Sequence, residues 1–263
     1  MSEFSGPAMA DALAAVYGNL TAVADGLGEA EFMLPTRCAG WVTGDLLYHQ
    51  LLDARRALRT FASPAAGPAD SDDVSYWRKY SPRGGEHEAL GSAESAAHAR
   101  HVRIVAAAYP PDGLAWEWQE TAAAACRAAR SCAHEFVTTQ GHVLKTADFV
   151  ATLAVEAAVH YLDLTVSLPS APDPDPASLA LVRRVLDGLL GTPLPAGWDD
   201  RDCALKGTGR SALTAGDRAA LAALADQFRC SGSHPGPRPT GITDVPSLPA
   251  AQVRAGTRPN SRY

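Results

Sequence analysis

The run Phe149–Leu164 constrains this chain more than any other stretch: it is a strongly apolar helical pattern interrupted by Glu156 and His160. Those two residues are four apart, a spacing that stacks both side chains on one face of an α-helix, a turn from each other. Glu156 lies between Val155 and Ala157, so its carboxylate is expected to be buried, where an unpartnered charge is costly. Its neutraliser is a cation, the protonated imidazole of His160, or an arginine from elsewhere in the chain.

Composition agrees with a helical fold built around that run. Alanine and leucine dominate the long segments and only 7% of the 263 residues are aromatic, which favours helix over sheet. A formal charge of −6 and a pI near 5.7, with no Lys/Arg-rich stripe, argue against a nucleic-acid partner. The first residues show neither a basic region nor an apolar core of a signal peptide, and no run approaches a membrane span, so a cytoplasmic protein without a membrane partner is expected. The five cysteines are odd in number and lack C-x-x-C spacing, which points to reduced thiols rather than a disulfide framework.

Apolar residues at Leu13, Val16, Leu20, Val23 and Leu27 predict a first helix over Pro7–Leu27. Pro35 and Gly40 mark an extended connection to a second helix, from about Gly44 to Phe61, with Thr43 as N-cap and Asp45 in its first turn. Ser63–Asp73 reads as a surface loop. Two further helices are predicted over Glu86–Ala108 and Leu114–His134. Phe136–Val143 reads as a short extended loop around Gly141, in which His142 is a candidate fourth ligand or cofactor contact. Thr146 or Asp148 then caps the helix carrying Glu156.

Four prolines in Pro169–Pro176 predict a semi-rigid linker between residues 1–168 and a smaller unit at 177–230. In that unit, helices at Ser178–Leu190 and Ala215–Phe228 flank a short strand at Cys203–Gly207. The turn Gly207-Thr-Gly-Arg210-Ser presents Arg210 and backbone N–H groups to a carboxylate or phosphate, or is a plain hairpin turn with an exposed arginine. Residues 231–263 lack periodicity and read as a flexible tail.

His49 is ambiguous on the helical wheel. Leu47, Leu51, Ala54 and Leu58 form the main apolar stripe of the second helix, and His49 falls opposite with Asp53 and Arg56, the position of a surface histidine. Leu46 and Leu52 flank it, so burial all round near the start of this helix also fits.

Cys38-Ala-Gly-Trp41-Val-Thr-Gly-Asp45-Leu-Leu-Tyr-His49 resembles the pattern C-x-G-W-T-x-x-D-L-x-x-H of the DinB-like, mycothiol-dependent maleylpyruvate isomerase family, with Val42 where the pattern has Thr. The segment Glu156-Ala-Ala-Val-His160-Tyr-Leu-Asp163 resembles that family's E-x-x-x-H-x-x-D. The resemblance spans roughly Ala10–Leu168 and, more weakly, residues 177–230. It implies a mainly α fold, a DinB-like metal-binding helix bundle followed by a small α/β C-terminal domain that closes over the site, and an actinobacterial setting. In that family a histidine of the second helix and the Glu and His of the last bundle helix bind zinc. They map onto His49, Glu156 and His160.

Two imidazoles and one carboxylate suit Zn²⁺ and leave a fourth position open for water or substrate. A thiol held there is a thiolate at neutral pH, although a free thiol has a pKa of about 8.5. The resemblance implies that the thiol is mycothiol and the partner a small-molecule substrate. Thiolate addition to a cis-enoyl diacid, rotation and elimination give the trans isomer, whereas attack on an electrophile gives S-transfer. Asp163 is expected to orient a ligand, and Arg210 to grip a substrate or cofactor carboxylate. Trp41 is expected to pack at the start of the helix. Two other readings stand beside this one: a hydrolase using metal-bound water, and a non-catalytic bundle that binds a small molecule or keeps a closed structural metal.

Overall fold

A computed structural model describes residues 5–80, 88–222 and 224–225. In chain order its helices are α1 (Gly6–Ala24), the single turn α2 (Glu29–Phe32), α3 (Thr43–Phe61), α4 (Glu88–Ala106) and α5 (Pro111–Ser131). Strands β1 (Phe136–Thr139) and β2 (His142–Lys145) follow, then α6 (Thr146–Leu164), α7 (Pro176–Leu190), α8 (Asp200–Gly207) and α9 (Ala215–Leu221).

The apolar run is α6, and every residue of it from Phe149 to Leu164 is buried. Helices α1 and α3 lie directly against it, and α5 completes a four-helix ring by packing on both of them. Leu13 and Leu20 of α1, Leu47 and Leu51 of α3, and Leu114 of α5 meet in the shared interior, each contributing about 1.5–3 kcal/mol by leaving water. Trp118 of α5 sets its ring edge-on to Tyr17 at 5.0 Å and donates its indole N–H to Thr21 Oγ1 at 3.0 Å. Contrary to the expectation that no stretch reaches that length, Thr146–Ser167 is long and apolar enough to cross a membrane, yet it is mostly buried inside the fold. Its apolarity is that of a helix surrounded by other helices.

The start of α3 determines where His49 lies. Asp45 accepts the N–H of Val42 at 3.0 Å, so the helix begins one residue before the expected position. Thr43 therefore sits inside the first turn, its hydroxyl donating to the Leu34 carbonyl at 3.2 Å instead of capping. Gly44 lets the Phe32 ring approach so closely that a Cβ there would stand 2.3 Å from it. With α2 on one side and the bundle on the other, Thr43–Leu51 is buried all round, which is why the wheel misplaced His49.

The segment expected to be an extended loop is a hairpin. Val137, Thr138 and Thr139 find partners in Leu144, Val143 and His142, and the two-residue turn has Gln140 and Gly141 at φ 47° and 78°, the left-handed pair that a tight antiparallel connection needs. Neither Thr146 nor Asp148 caps α6 through its side chain.

After the proline-rich stretch, α7 packs on α6 and α1, and α8 packs on α7 and α6. Asp175 caps α7 by accepting the N–H of Ser178 at 2.7 Å. Cys203–Gly207, expected to be a strand, is helical within α8. Asp199 caps that helix through the N–H of Asp202 at 2.7 Å, and Asp200 and Asp202 in the first turn with Lys206 in the last favour its dipole. Helix α9 ends at Leu221, and residues 226–228 of the longer helix expected there, with the tail 231–263, lie outside the described residues.

Candidate metal centre

Helices α3 and α6 run side by side and bring three side chains together. One ligand atom each from His49, Glu156 and His160 lies within 4.8 Å of the others, and all three residues are buried. His160 Nε2 stands 3.1 Å from Glu156 Oε1, and His49 Nε2 stands 3.7 Å from the same oxygen. The second distance is too long for a hydrogen bond. His49 Nε2 and Glu156 Oε2 accordingly are buried without hydrogen-bond partners. Two buried polar atoms without partners, in a cluster of two imidazoles and a carboxylate, fit a divalent ion and are costly without one.

The charges agree with a site arranged for a cation. Burial alone pushes the Glu156 carboxyl up, but the hydrogen bond and charge of His160, with the nearby imidazole of His49, outweigh it and bring the group down to about 2. Burial works against the charged form of His160 too. Its contacts with Asp163, Cys38 and Glu156 prevail and raise it well above the usual imidazole value. Without an ion, His160 is thus an imidazolium lodged between two carboxylates.

Asp163 lies at the other ring nitrogen, its Oδ2 3.1 Å from His160 Nδ1. A carboxylate on Nδ1 fixes the ring so that Nε2 is the atom presented to the centre. Arg210 in turn holds Asp163 with three contacts of 2.7–2.9 Å. The turn after α8 therefore carries Arg210 into the interior, buried against α6, where its charge holds the Asp163 carboxyl well below the usual range against the effect of burial. Cys38, half-buried, places Sγ 3.4 Å from Asp163 Oδ2, forming with His160 and Asp163 a second group of close ligand atoms.

His98 of α4 was not singled out by the sequence. Its Nε2 lies 3.2 Å from His49 Nδ1, and burial followed by the charge of His49 lowers its pKa to about 4. A neutral His98 accepts the Nδ1–H of His49 and leaves Nε2 of His49 free to ligate. Nothing in the local pattern of α4 marks His98, because its role depends on how α4 lies across α3. Trp41 packs as expected, with its ring 5.3 Å from that of His49 and 6.3 Å from that of His98. His142 stands elsewhere, on β2, with Nδ1 near Ser71 Oγ at 3.0 Å and Asp70 Oδ1 at 3.1 Å. It belongs to neither group of close ligand atoms among the described residues.

A family model described as "Mycothiol maleylpyruvate isomerase N-terminal domain" matches residues 13–165, the stretch that begins within α1, runs through the end of α6 and includes all three residues of the His49–Glu156–His160 group. No curated protein and no solved structure matches the chain.

Proposed function

The chain belongs to the mycothiol maleylpyruvate isomerase N-terminal domain family, and on that premise we propose that it is a mycothiol-dependent metalloenzyme whose ion is held by His49, Glu156 and His160. The observation that supports this reading is the buried cluster of His49, Glu156 and His160, in which His49 Nε2 and Glu156 Oε2 have no hydrogen-bond partner. A bound divalent ion, zinc being the best match to two imidazoles and a carboxylate, supplies the Lewis acidity that keeps a thiol deprotonated at neutral pH. The substrate is a cis-enoyl diacid for isomerisation, or another electrophile for S-transfer.

The protein's own groups prepare that chemistry. Glu156 contributes the one negative charge of the set and offsets part of the ion's. Asp163 fixes the ring of His160, and Arg210 fixes Asp163, so the turn after α8 acts on the site through two hydrogen-bonded links. His98 does the same for His49 from the opposite side. Trp41 and the apolar interior of the bundle limit water around the imidazoles, which strengthens every charge interaction there.

The test has two stages. Metal content is measured on protein purified without added metal, for wild type and for His49→Ala, Glu156→Ala and His160→Ala. About one equivalent of a divalent ion in the wild type, lost in each variant while helical circular dichroism persists, is the expected result. Turnover of a cis-enoyl dicarboxylate is then followed with and without mycothiol. A wild type that holds no metal and takes up no zinc overturns the reading. Turnover that proceeds equally without thiol assigns the site to metal-bound water and a hydrolytic reaction instead.

A further inference from the structure

The segment between α2 and α3 is fastened to the end of α6. Pro35 and Val42 pair in an isolated antiparallel bridge, and between them the N–H and Oγ1 of Thr36 both donate to the Trp41 carbonyl, at 3.1 and 3.0 Å. Gly40 takes φ 76° in that turn, a left-handed backbone that glycine adopts without steric cost. The Arg37 N–H donates to the Asp163 carbonyl at 3.1 Å and the Arg37 guanidinium to the Leu162 carbonyl, while the Ser167 hydroxyl donates back to the Pro35 carbonyl at 2.8 Å. Leu162 and Asp163 belong to the last turn of α6, where carbonyls run out of helical partners. Held in this way, half-buried Cys38 donates from Sγ to Asp163 Oδ2 at 3.4 Å and stands 3.9 Å from His160 Nδ1.

We propose that Cys38 is a positioning residue of the metal centre, its thiol holding Asp163 Oδ2 against His160 Nδ1. This rests on the metal reading above and deepens it, since it gives a role to the first residue of the motif that ends at His49. The same carboxylate oxygen stands 3.1 Å from Nδ1 and accepts from Arg210 Nη2 at 2.8 Å. Asp163 is thus held by two parts of the chain, the turn after α8 and the segment leading into α3. A thiol is a weak donor, so it adds to the hold on Oδ2 without displacing the imidazole or the guanidinium. Because residues 35–42 run directly into α3, Cys38 also sets the ring of His160 in register with the helix that carries His49.

Cys38 is not itself a ligand of that ion. Its sulfur lies beside Nδ1 of His160, whereas the nitrogen facing Glu156 is Nε2, and its group of close ligand atoms contains neither His49 nor Glu156. Nor do Cys38, His160 and Asp163 make a second cation site, because Arg210 already engages both oxygens of Asp163 with its own positive charge.

The experiment measures the zinc dissociation constants of wild type, Cys38→Ala and Cys38→Ser by competition with a chromophoric chelator, together with the electronic spectrum of each protein loaded with Co²⁺ in thiol-free buffer. Thermal midpoints and circular dichroism serve as the control for folding. Cys38→Ala is expected to weaken zinc about tenfold and to shift the cobalt d–d bands as the His160 ring loosens. In Cys38→Ser a hydroxyl still donates to Asp163, so that variant is expected to recover most of the affinity and the wild-type bands. Unchanged zinc affinity in folded Cys38→Ala, or equal losses in both variants, overturns the assignment and leaves Cys38 to packing. A sulfur-to-cobalt charge-transfer band in the wild type that vanishes in Cys38→Ala overturns it as well, by making Cys38 a ligand. In each of these cases the wild type still holds its ion and the three-residue site stands. A wild type that binds neither zinc nor cobalt takes down both readings.

Discussion

Arg210 engages Asp163 with both Nε and Nη2, at 2.7 and 2.8 Å, and so ties the turn after α8 to the helix that carries Glu156 and His160. Both side chains are buried, at 7% and 1% exposure. A buried carboxylate stripped of its partner is strongly destabilising. Arg210→Ala is therefore expected to cost about 3–5 kcal/mol in urea unfolding and to weaken zinc about 10–100-fold through the loosened His160 ring. Arg210→Lys restores charge but not the planar fork, and falls between the two. Wild-type stability in Arg210→Ala would show that the contact is incidental.

The metal-free protein has a pH dependence whose sign follows from the shifted groups of the site. Glu156 is lowered from 4.5 to about 2 on folding, so its contribution is present above 4.5 and is lost as pH falls from 4.5 towards 2. His160 is raised above 6.5, so its contribution is present below 6.5 and is lost as pH rises through the raised value. His98, lowered from 6.5 to about 4, adds a contribution that is lost as pH falls from 6.5 towards 4, so stability is expected to be highest near pH 6.5 and to decline on either side. Glu156→Gln is expected to remove on the order of 3 kcal/mol of the acid limb, the rest remaining with His98 and the lowered Asp163. Thermal unfolding of chelator-treated protein from pH 2 to 9 measures both limbs.

On the proposed metal reading, zinc competes with the proton on His160, since the ion needs the lone pair of Nε2. Uptake at pH 7 is expected to release about one proton per ion, read from binding heats in buffers of differing ionisation enthalpy. Binding heats that do not vary with the buffer would place a neutral His160 in the metal-free protein, against the ion-pair description.

Gly44 offers a prediction about the frame of the site rather than its ligands. The Phe32 ring occupies the space a Cβ would need, at 2.3 Å, and Phe32 is itself buried. Gly44→Ala gains helix propensity but forces the ring or α3 to move, and overpacking of this kind costs about 1–3 kcal/mol. A fall in the thermal midpoint of about 2–4 °C per kcal/mol is expected for a domain of this size. An unchanged or raised midpoint would mean that Phe32 gives way freely.

How much of this was legible in the sequence depended on whether the cause was local. The apolar run around Glu156 and His160 fixed α6 as a core helix, because all-round apolarity has few other outcomes in a helical chain. His49 and Glu156 were paired by motif spacing, not by periodicity: the wheel put His49 with Asp53 and Arg56 on a solvent face, and that face is buried by α4 and by the hairpin carrying Gln140. Polar residues on a buried face read as surface until the neighbours are known. Cys203–Gly207 failed for a local reason, since the caps and charges of Asp199, Asp202 and Lys206 outweigh the β-like look of a five-residue stretch. Arg210 was flagged for a ligand carboxylate, and the carboxylate it meets is Asp163, 47 residues away.

His98 marks the limit of such reading, and its contact with His49 gives the last prediction. A ligating His49 Nε2 requires the proton on Nδ1, and the acceptor at 3.2 Å is His98 Nε2, neutral at pH 7 because burial and the neighbouring His49 bring its pKa to about 4. His98→Ala removes the acceptor and frees His49 to rotate or change tautomer, so zinc is expected to bind about 10–100-fold more weakly. The cost to folding is expected to be smaller by comparison, since His98 is only half-buried. His98→Gln, whose amide oxygen can accept the same proton, is expected to recover part of the affinity. Chelator competition on the two variants, alongside their thermal midpoints, separates orientation of His49 from simple packing. Loss of stability with unchanged zinc affinity would assign His98 to packing alone.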